Sequence, residues 1–432
     1  MNELAIGTYM HGTPVAREVS ITPEDWRRHA YVVGATGVGK STLFKKLMLQ
    51  RPAFCLIDKE GDLAREVADA MPCIYLQASR TDFRFALNVF QDVPPDRRSE
   101  LAAGIHAMCS DIWDLGEHTP QLNDTLYFTI RLAIDTAGAT LVDLPRLLTD
   151  DLCRARFLKK CRDRDTREFW EDFATLDRKA QREAIRSTLN KVRAFTRSDA
   201  LRFTLGQSTS TINIRDIIDS GKTVVVDLSG IGAEPARLLG AVIVFQFYLA
   251  AQNRNDSHRP DYTLFIDEFE DFASRTMPDI LSKVRKRHLS LCIAHQYVSQ
   301  LPDHIRDAIF ANCGTYVCFS IGPLDAPLLS KVLDRPETDL TAQRTGHAWV
   351  AIMHKGRRLR SIPIMMSMPV MDSGYIAGNI EMTRKRYART REDAQYQLDW
   401  YERVKWAREQ YAKKAEAEKA IDAHREEAEW GD

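Results

Sequence analysis

The sequence predicts an α/β fold with a mainly parallel sheet, an inserted all-helical domain and a helical C-terminal tail. Three features of the chain carry this prediction. Short apolar runs alternate with helical segments in residues 29–77 and again in 223–353, which is typical of a parallel sheet covered on both faces. From about Pro94 to Leu205 the strand-like runs vanish and helical periodicity dominates. From about Gly378 the chain becomes highly charged.

The first group of predicted strands lies near the N-terminus. HAYVV (29–33) is an apolar run typical of a buried strand, and a glycine-rich turn and the helix STLFKKLMLQ follow it at once. AFCLID (53–58) and CIYLQ (73–77) are the next two predicted strands, joined by a helix. Before them, residues 1–28 indicate short strands and a turn, and Thr22-Pro23 indicates a helix start.

The second group of predicted strands begins after residue 222. Its members are TVVVDL (223–228), YTLFIDE (262–268), LSLCIAHQ (289–296), GTYVCFSI (314–321) and HAWVAIM (347–353). We therefore divide the 432 residues into four parts. They are 1–93, the N-terminal strands and the first part of the α/β domain; 94–205, the inserted helical domain; 206–377, the second part of the α/β domain; and 378–432, the tail.

Charge and composition restrict the classes of partner. Lys+Arg and Asp+Glu balance at 60 each, so no global positive field indicates nucleic acid, although a ring can confine positive charge to its channel. The segment from Arg154 to Arg202 is locally basic, with 15 Lys+Arg against 8 Asp+Glu. It is either a solvated helical face or a surface that contacts DNA or a partner.

Membrane and cysteine signals are weak. The N-terminus lacks the basic start and apolar core of a signal peptide. Ala236–Ala251 is shorter than the roughly 20 residues that span a bilayer, and Arg237 and Gln246 interrupt it, so we expect a buried helix and no direct membrane span. Eight cysteines without CxxC spacing are expected to be reduced, buried thiols.

The strongest motif is GATGVGKS at residues 34–41, which fits G-x-x-x-x-G-K-[ST] without exception. Its glycines let backbone N–H groups surround a β-phosphate at a helix N-terminus, whose dipole favours an anion. We expect Lys40 to bind the β- and γ-phosphates and Ser41 to bind Mg²⁺, so ATP and Mg²⁺ are the predicted ligands. The predicted nucleotide-binding residues are Gly34, Ala35, Thr36, Gly37, Val38, Gly39, Lys40, Ser41 and Thr42.

A P-loop ATPase also needs a second metal contact and a group that activates water. The strand YTLFIDE places Asp267 at its C-terminal end, where the carboxylate can hold the Mg²⁺ shell. Glu268 follows directly and is the predicted catalytic residue that polarises the attacking water, a group that a small-molecule kinase does not need. The alternative is that the two carboxylates cap the next helix.

Two more positions complete the predicted site. Gln296 ends the strand LSLCIAHQ, which we expect beside the Asp267 strand, so its amide is a candidate sensor of the γ-phosphate. His295 points to the opposite face of the sheet and is expected in the core. Arg285 lies in the basic stretch KVRKRH (283–288), which the residues alone indicate to be a solvated helix.

Four segments of the chain carry a family resemblance. They are HAYVVGATGVGKST, CLIDKEGDL, FIDEFEDFA and the stretch from LSKVRKRH through LSLCIAHQYVSQ to GTYVCFSIG. Together they resemble the FtsK–HerA superfamily of ring ATPases, and within it type IV secretion coupling proteins and HerA-like DNA translocases. The resemblance covers most of residues 25–360 and implies a RecA-like P-loop NTPase fold, in which the helical insertion is similar to the all-α domain of coupling proteins.

The resemblance also implies an assembly and a set of roles. It implies a homohexamer with ATP between subunits and DNA in the central channel. It gives the phosphate and Mg²⁺ roles to Lys40, Ser41 and Asp267, the catalytic role to Glu268, and the sensor role to Gln296. It further implies that Arg285 is the finger that reaches the γ-phosphate of the neighbouring subunit, with Arg287 as the reserve.

The expected function is DNA translocation in conjugative transfer, driven by ATP hydrolysis. Coupling proteins usually begin with membrane-spanning helices, whereas we expect no direct membrane span in this sequence. We therefore expect a cytoplasmic protein that docks on a membrane complex and meets a secretion-channel or relaxase partner. DNA contacts would be mainly with phosphates and therefore tolerant of sequence. Three alternatives stay open: a HerA-like translocase that acts with a nuclease in repair or phage defence, a secretion ATPase with protein cargo, and a nucleotide-gated adaptor.

Overall fold

A twelve-stranded mixed sheet runs through the computed structural model, which describes residues 3–9, 16–51, 53–116, 118–254 and 259–399. Its strand order is β2-β1-β13-β11-β10-β3-β9-β8-β4-β7-β5, with β12 paired to β11, and β6 and β14 form a separate ribbon. The strands are β1 (Leu4–Tyr9), β2 (Arg17–Ile21), β3 (Ala30–Val33), β4 (Phe54–Asp58), β5 (Ile74–Gln77), β6 (Phe83–Arg84), β7 (Val224–Asp227), β8 (Tyr262–Ile266), β9 (Leu289–His295), β10 (Thr315–Cys318), β11 (His347–His354), β12 (Arg357–Arg358), β13 (Ile362–Met365) and β14 (Arg389–Thr390).

Seven neighbouring strands, from β10 to β5, are parallel. They contain seven of the eight apolar runs that the sequence assigns to strands, the eighth being β11, and every residue of β3, β4, β8 and β9 is buried. Continuous apolar runs are required here because helices cover both faces of a parallel sheet. The predicted α/β fold with a mainly parallel sheet is thus confirmed.

An antiparallel wing extends the sheet beyond β10, and the sequence reading did not foresee it in full. β11 pairs antiparallel with β10, β13 with β11, and β1 with both β13 and β2. β13 escaped prediction because Pro363 interrupts it and only Ile364 of its four residues is buried. The predicted helix start at Thr22 is present, since the Thr22 side chain accepts a hydrogen bond from the Asp25 N–H and caps α1.

Helices supply the rest of the structure. Between Arg98 and Leu205, in the segment predicted to be helical, every secondary-structure element that the structure describes is an α-helix or a 3-10 turn. The helices are α1 (Pro23–Trp26), α2 (Lys40–Leu49), α3 (Asp62–Ala70), α4 (Arg98–Ile112), α5 (Pro120–Ile134), α6 (Leu144–Thr149), α7 (Asp151–Leu158), α8 (Arg164–Thr175), α9 (Arg178–Val192), α10 (Ala194–Arg197), α11 (Asp199–Leu205), α12 (Ile214–Ser220), α13 (Ala233–Gln252), α14 (Met277–Lys283), α15 (Asp303–Asn312), α16 (Ala326–Leu333), α17 (Glu337–Thr341), α18 (Ile376–Tyr387) and α19 (Arg391–Leu398).

The helix α13 joins the sheet to the helical segment. Its apolar side chains share one core with β8 and with helices α4 and α5. Among the described residues it is the one helix long and apolar enough to cross a membrane, but most of that stretch is buried within the fold. All eight cysteines are buried thiols, as expected.

The free edge of β5 is covered by α18. The backbone N–H of Cys73 donates to Asn379 Oδ1 at 3.0 Å, and that of Tyr75 donates to Thr383 Oγ1 at 2.9 Å. Side chains of α18 thereby satisfy an edge that would otherwise present open hydrogen-bonding groups. The beginning of the charged tail therefore packs on the α/β core, whereas its aromatic residues Trp400, Tyr401 and Trp406 lie outside the described residues.

Candidate active site

The phosphate loop connects β3 to α2 at the C-terminal edge of the parallel strands. Gly37 and Gly39 have φ angles of 77° and 125°, which side-chain-bearing residues rarely adopt. A Cβ on Gly34 would lie 2.6 Å from Phe319 Cβ, so a side chain there would displace the neighbouring segment. Phe44 packs edge-on against Phe265 of β8 and fixes α2 to the sheet. The loop conformation therefore follows from its glycines and from the packing of the helix behind it.

Lys40 points back into this loop. Its Nζ donates to the carbonyl oxygens of Gly34 at 2.7 Å and of Ala35 at 2.9 Å. Burial lowers the pKa of Lys40 below its usual value, and the carboxylates of Asp267, Glu270 and Glu268 partly offset this effect. The ammonium group is thus held inside the loop and faces a cluster of acidic side chains.

The predicted Asp-Glu pair follows β8 at the same edge. Ile266 pairs with Ile293 of β9, and Val33 pairs with His295, so Asp267, Gln296 and the phosphate loop leave the sheet side by side. Burial raises the pKa of Asp267, against the opposing effects of the Glu268 N–H and Lys40. The alternative role of these carboxylates was to cap the next helix. Glu268 does not do so for the 3-10 turn Phe269–Asp271, because its side chain makes no capping hydrogen bond there.

Glu268 has a φ of 51°, in the left-handed region that is uncommon for a residue with a side chain. Strain of this kind is concentrated at functional sites, where the surrounding fold must hold it in place. Burial raises the pKa of its carboxyl group; Glu60 adds to the rise and Lys59 opposes it. A carboxylate with a raised pKa is a stronger proton acceptor, as a general base requires.

Two residues of this edge were missed by the sequence reading. Lys59, directly after β4, lies 2.6 Å from Asp271 and 3.9 Å from Glu268 and so holds the acidic turn in place. Glu270 is the second: burial raises its pKa to about 7, and its Oε2 is buried without a hydrogen-bond partner. The signal for Lys59 was its position after a strand, because ligands of open α/β sheets bind at the carboxyl ends of the strands.

The side chains of Gln296 and His295 lie in different surroundings, as strand alternation predicts. Gln296 Oε1 accepts a hydrogen bond from Thr36 Oγ1 of the phosphate loop at 3.0 Å, so the amide lies at the loop. His295 is fully buried, hydrogen-bonds through Nε2 to the hydroxyl of Tyr31, and has a pKa that burial lowers to about 3. It is a neutral core residue and holds Tyr31 rather than a phosphate.

Arg285 lies elsewhere. It occupies the 3-10 turn Val284–Arg287, which precedes β9, whereas Gln296 follows this seven-residue strand. At ~3.3 Å per residue, about 20 Å therefore separates Arg285 from the phosphate loop of its own chain. Within the described residues its side chain makes no hydrogen bond or ion pair, and burial, followed by repulsion from Arg28, lowers its pKa. Arg287 is engaged locally, since its Nη1 donates to the Arg254 carbonyl oxygen at 2.8 Å.

The residues at the C-terminal edge fit a Mg²⁺–nucleotide complex. Ser41 is exposed at the first turn of α2, and Asp267 is half-buried where the chain leaves β8, at the same edge of the sheet. No cluster of three or more His, Cys, Asp or Glu able to hold a metal occurs in the described parts of the chain. Mg²⁺ does not require one, because it is usually bound by one or two protein oxygens together with substrate phosphates and water.

Comparison with known proteins agrees with this geometry. Residues 261–348, from just before β8 into β11, match the family model described as the TraM recognition site of TraD and TraG. The bacterial conjugative coupling protein TrwBΔN70 superimposes with a TM-score of 0.63 and 15% identity over 82% of this chain and 88% of its own. This chain has the fold of a coupling-protein-like P-loop ATPase.

Two other solved structures are similar to this chain. The plasmid coupling protein TrwB in complex with ADP and Mg²⁺ matches with a TM-score of 0.61 and 15% identity, over 83% of this chain and 90% of its own. VirB4 of Thermoanaerobacter pseudethanolicus matches with a TM-score of 0.59 and 15% identity, over 85% and 96% of the two chains. Comparison of the sequence with curated proteins gives no significant match.

Proposed function

We propose that this protein is an ATP-hydrolysing motor that translocates DNA through a homohexameric ring, as a type IV coupling-protein-like ATPase of conjugative transfer. The observation that carries the proposal is the division of the predicted site between the two edges of one sheet. Lys40, Glu268 and Gln296 lie together at one edge, and Arg285 lies at the other. A second copy of the chain is needed to bring the arginine to the phosphate loop.

Binding of ATP is the first step of the proposed mechanism. Backbone N–H groups of the phosphate loop and the Lys40 ammonium would hold the β- and γ-phosphates. Ser41 and Asp267 would hold Mg²⁺, which neutralises phosphate charge when it is bound. Lys40 would then exchange its bonds to the Gly34 and Ala35 carbonyl oxygens for bonds to phosphate oxygens.

Hydrolysis would begin with Glu268. Its carboxylate orients a water molecule and accepts a proton from it as the water oxygen bonds to the γ-phosphorus. The bond from the γ-phosphorus to the bridging oxygen breaks, and ADP and inorganic phosphate are the products. The ion pair of Lys59 with Asp271 keeps the acidic turn in place while Glu268 acts.

Two residues would link hydrolysis to the ring. Gln296 touches the phosphate loop through Thr36 and is placed to register the loss of the γ-phosphate. Arg285 from the neighbouring subunit would stabilise the charge that develops on the transferred group, a contribution of about 10³-fold or more in rate. Its free guanidinium supports this role, whereas Arg287 already donates to a backbone carbonyl.

The proposed cargo and partners rest on the comparisons. The family model for the TraM recognition site covers the segment that contains Asp267, Arg285 and Gln296, and it supports a relaxosome component as partner. The fold of conjugative coupling proteins supports DNA as cargo and docking on a membrane-bound secretion complex from the cytoplasm. The DNA contacts would be salt-dependent phosphate contacts.

The experiment that tests this function measures ATP turnover with and without single- and double-stranded DNA, on protein whose oligomeric state is sized in parallel. We expect DNA to stimulate turnover of the oligomer, and added salt to weaken the stimulation. Turnover that is unaffected by either form of DNA would contradict the proposed cargo and favour a secretion ATPase with protein cargo.

A further inference from the structure

The polarity of a bound nucleotide follows from the strand order, if the chain binds ATP as proposed above. Asp267, Glu268 and Gln296 follow β8 and β9, which lie on one side of β3. The terminal phosphate of ATP must point to that side, because the water-activating and metal-binding groups are there. The ribose and base must therefore extend to the other side of the phosphate loop, where β10, β11 and β13 lie.

A segment after β13 passes over this other side. β13 runs parallel to β10 and ends at Met365, at the same edge as the phosphate loop, where Met365 pairs with His347. Two backbone hydrogen bonds tie it to the loop: Gly346 N–H to the Val38 carbonyl oxygen at 2.9 Å, and Met366 N–H to the Gly346 carbonyl oxygen at 2.7 Å. Residues 366–370 therefore lie beside the first turn of α2.

The contact with α2 is made by Met368. Thr42 Oγ1 lies 3.5 Å from Met368 Sδ, in the position of a weak hydrogen bond to sulfur. Thr42 belongs to the first turn of α2, next to Ser41, so Met368 stands just beyond the point where a nucleotide leaves the phosphate loop. Within the described residues, no other side chain of residues 366–370 forms a hydrogen bond to the phosphate loop or to the first turn of α2.

The apolar side chains of this segment are open to solvent. The exposed fraction is 70% for Met368, 96% for Val370 and 41% for Met365. A methionine thioether is flexible and polarisable and packs favourably against aromatic rings, and a nucleobase is an aromatic ring system. We propose that Met368, supported by Val370, forms the platform on which the nucleobase rests.

Exposure alone would not identify such a platform. Leu152 in α7 is also 70% exposed, yet it lies in the helical segment away from the phosphate loop. What distinguishes Met368 is its contact with Thr42 on the base side of the loop. Because the platform offers apolar surface rather than hydrogen-bonding groups, it gives little discrimination between purine bases.

The test compares two ligands that share the phosphates and differ in the base. Calorimetric titrations of the full chain would use Mg-ATP and Mg-tripolyphosphate, for the wild type, Met368→Ser and the equally exposed control Leu152→Ser. We expect Met368→Ser to weaken ATP binding by about 5- to 10-fold, from the strength of sulfur–aromatic contacts. Tripolyphosphate affinity should stay at the wild-type value, Leu152→Ser should change neither affinity, and Met368→Leu should retain most of the ATP affinity.

Several outcomes would overturn the inference. They are unchanged ATP affinity in Met368→Ser, an equal loss for both ligands, and a wild type that binds ATP no more tightly than tripolyphosphate. A change in self-association with ATP affinity unchanged would assign Met368 to a subunit contact instead. A wild type that binds neither ligand would overturn the proposed ATPase function itself, so the two failures are distinguishable.

Discussion

The two edges of the parallel sheet carry different chemistry. At the C-terminal edge, carboxylates cluster around Lys40 and Lys59, and burial raises the pKa values of Asp267, Glu268 and Glu270. At the N-terminal edge, burial and then repulsion from Arg28 lower the pKa of Arg285, and the carboxylates of Glu24 and Asp25 only partly oppose this. One edge has an excess of negative groups that a metal ion can neutralise, and the other holds a guanidinium that an anion can stabilise.

This difference suggests that neither edge is complete within one chain. Glu268 follows β8 at one edge and Arg285 precedes β9 at the other, and about 20 Å of β9 separates the two. In the proposed ring, one copy packed against the next would bring opposite edges together.

The largest expected effect on ATP binding is at the phosphate loop. Lys40→Ala should weaken ATP binding by about 100-fold or more, because a half-buried ammonium group that would face the phosphates is removed. Equilibrium binding of a fluorescent ATP analogue measures this. Lys46→Ala, a lysine of the same helix farther from the loop, is the matched control and should bind normally. Equal loss in both variants would indicate damage to α2 rather than loss of a phosphate contact.

The other edge should affect turnover and leave binding intact. Arg285→Ala should lower the turnover of the assembled protein by about 10³-fold or more and preserve ATP affinity, since the arginine lies far from the loop of its own chain. Arg287→Ala, whose guanidinium already bonds to a backbone carbonyl, should keep most of the turnover. A reversed pattern would transfer the finger role to Arg287.

Mixing two inactive variants sharpens the comparison further. Arg285→Ala and Glu268→Gln chains, combined in equal amounts, should regain part of the turnover if the two residues serve different sites. An interface formed by intact Glu268 of one chain and intact Arg285 of the other would then be complete. No regain of turnover in mixed oligomers, with mixing verified, would place both residues in a single site of one chain.

At the carboxylate side, Glu268→Gln should retain ATP affinity and lower turnover by about 10²- to 10³-fold, because the amide cannot accept the proton of water. Steady-state phosphate release, with ATP binding measured in parallel, tests the assignment. The control is Glu66→Gln, which alters a surface ion pair with Lys45 and should keep normal turnover. Near-normal turnover of Glu268→Gln would remove Glu268 from the catalytic role.

The smallest effect concerns stability. The pKa of Glu270 is raised from the usual 4.5 to about 7, so the folded state binds its proton more tightly than the unfolded state. The wild type should therefore lose stability as the pH rises from about 4.5 through 7, by on the order of 1 to 3 kcal/mol from this group. Glu270→Gln should be the more stable protein at pH 8, and the advantage should vanish near pH 4. Chemical denaturation at both pH values measures it; an advantage independent of pH would contradict the assignment.

Sequence reasoning found most of the C-terminal edge because its signals are local. The glycines of residues 34–39, the carboxylates after β8 and the amide after β9 each follow an apolar run, and parallel strands bring such positions together. Glu270 was missed since its burial depends on the left-handed turn at Glu268, which no short pattern reveals. β13 was missed because pairing with a distant strand, rather than local propensity, makes that segment a strand.

The central claim is that opposite sheet edges of two neighbouring chains form one ATP site. Its most direct test is to measure ATP turnover per chain as a function of protein concentration, together with the mass of the assembly in the same samples. We predict that turnover per chain rises with the fraction of assembled protein and is low in the monomer, although the monomer still binds ATP. Full turnover by a chain that stays monomeric with ATP and DNA present would contradict the shared site.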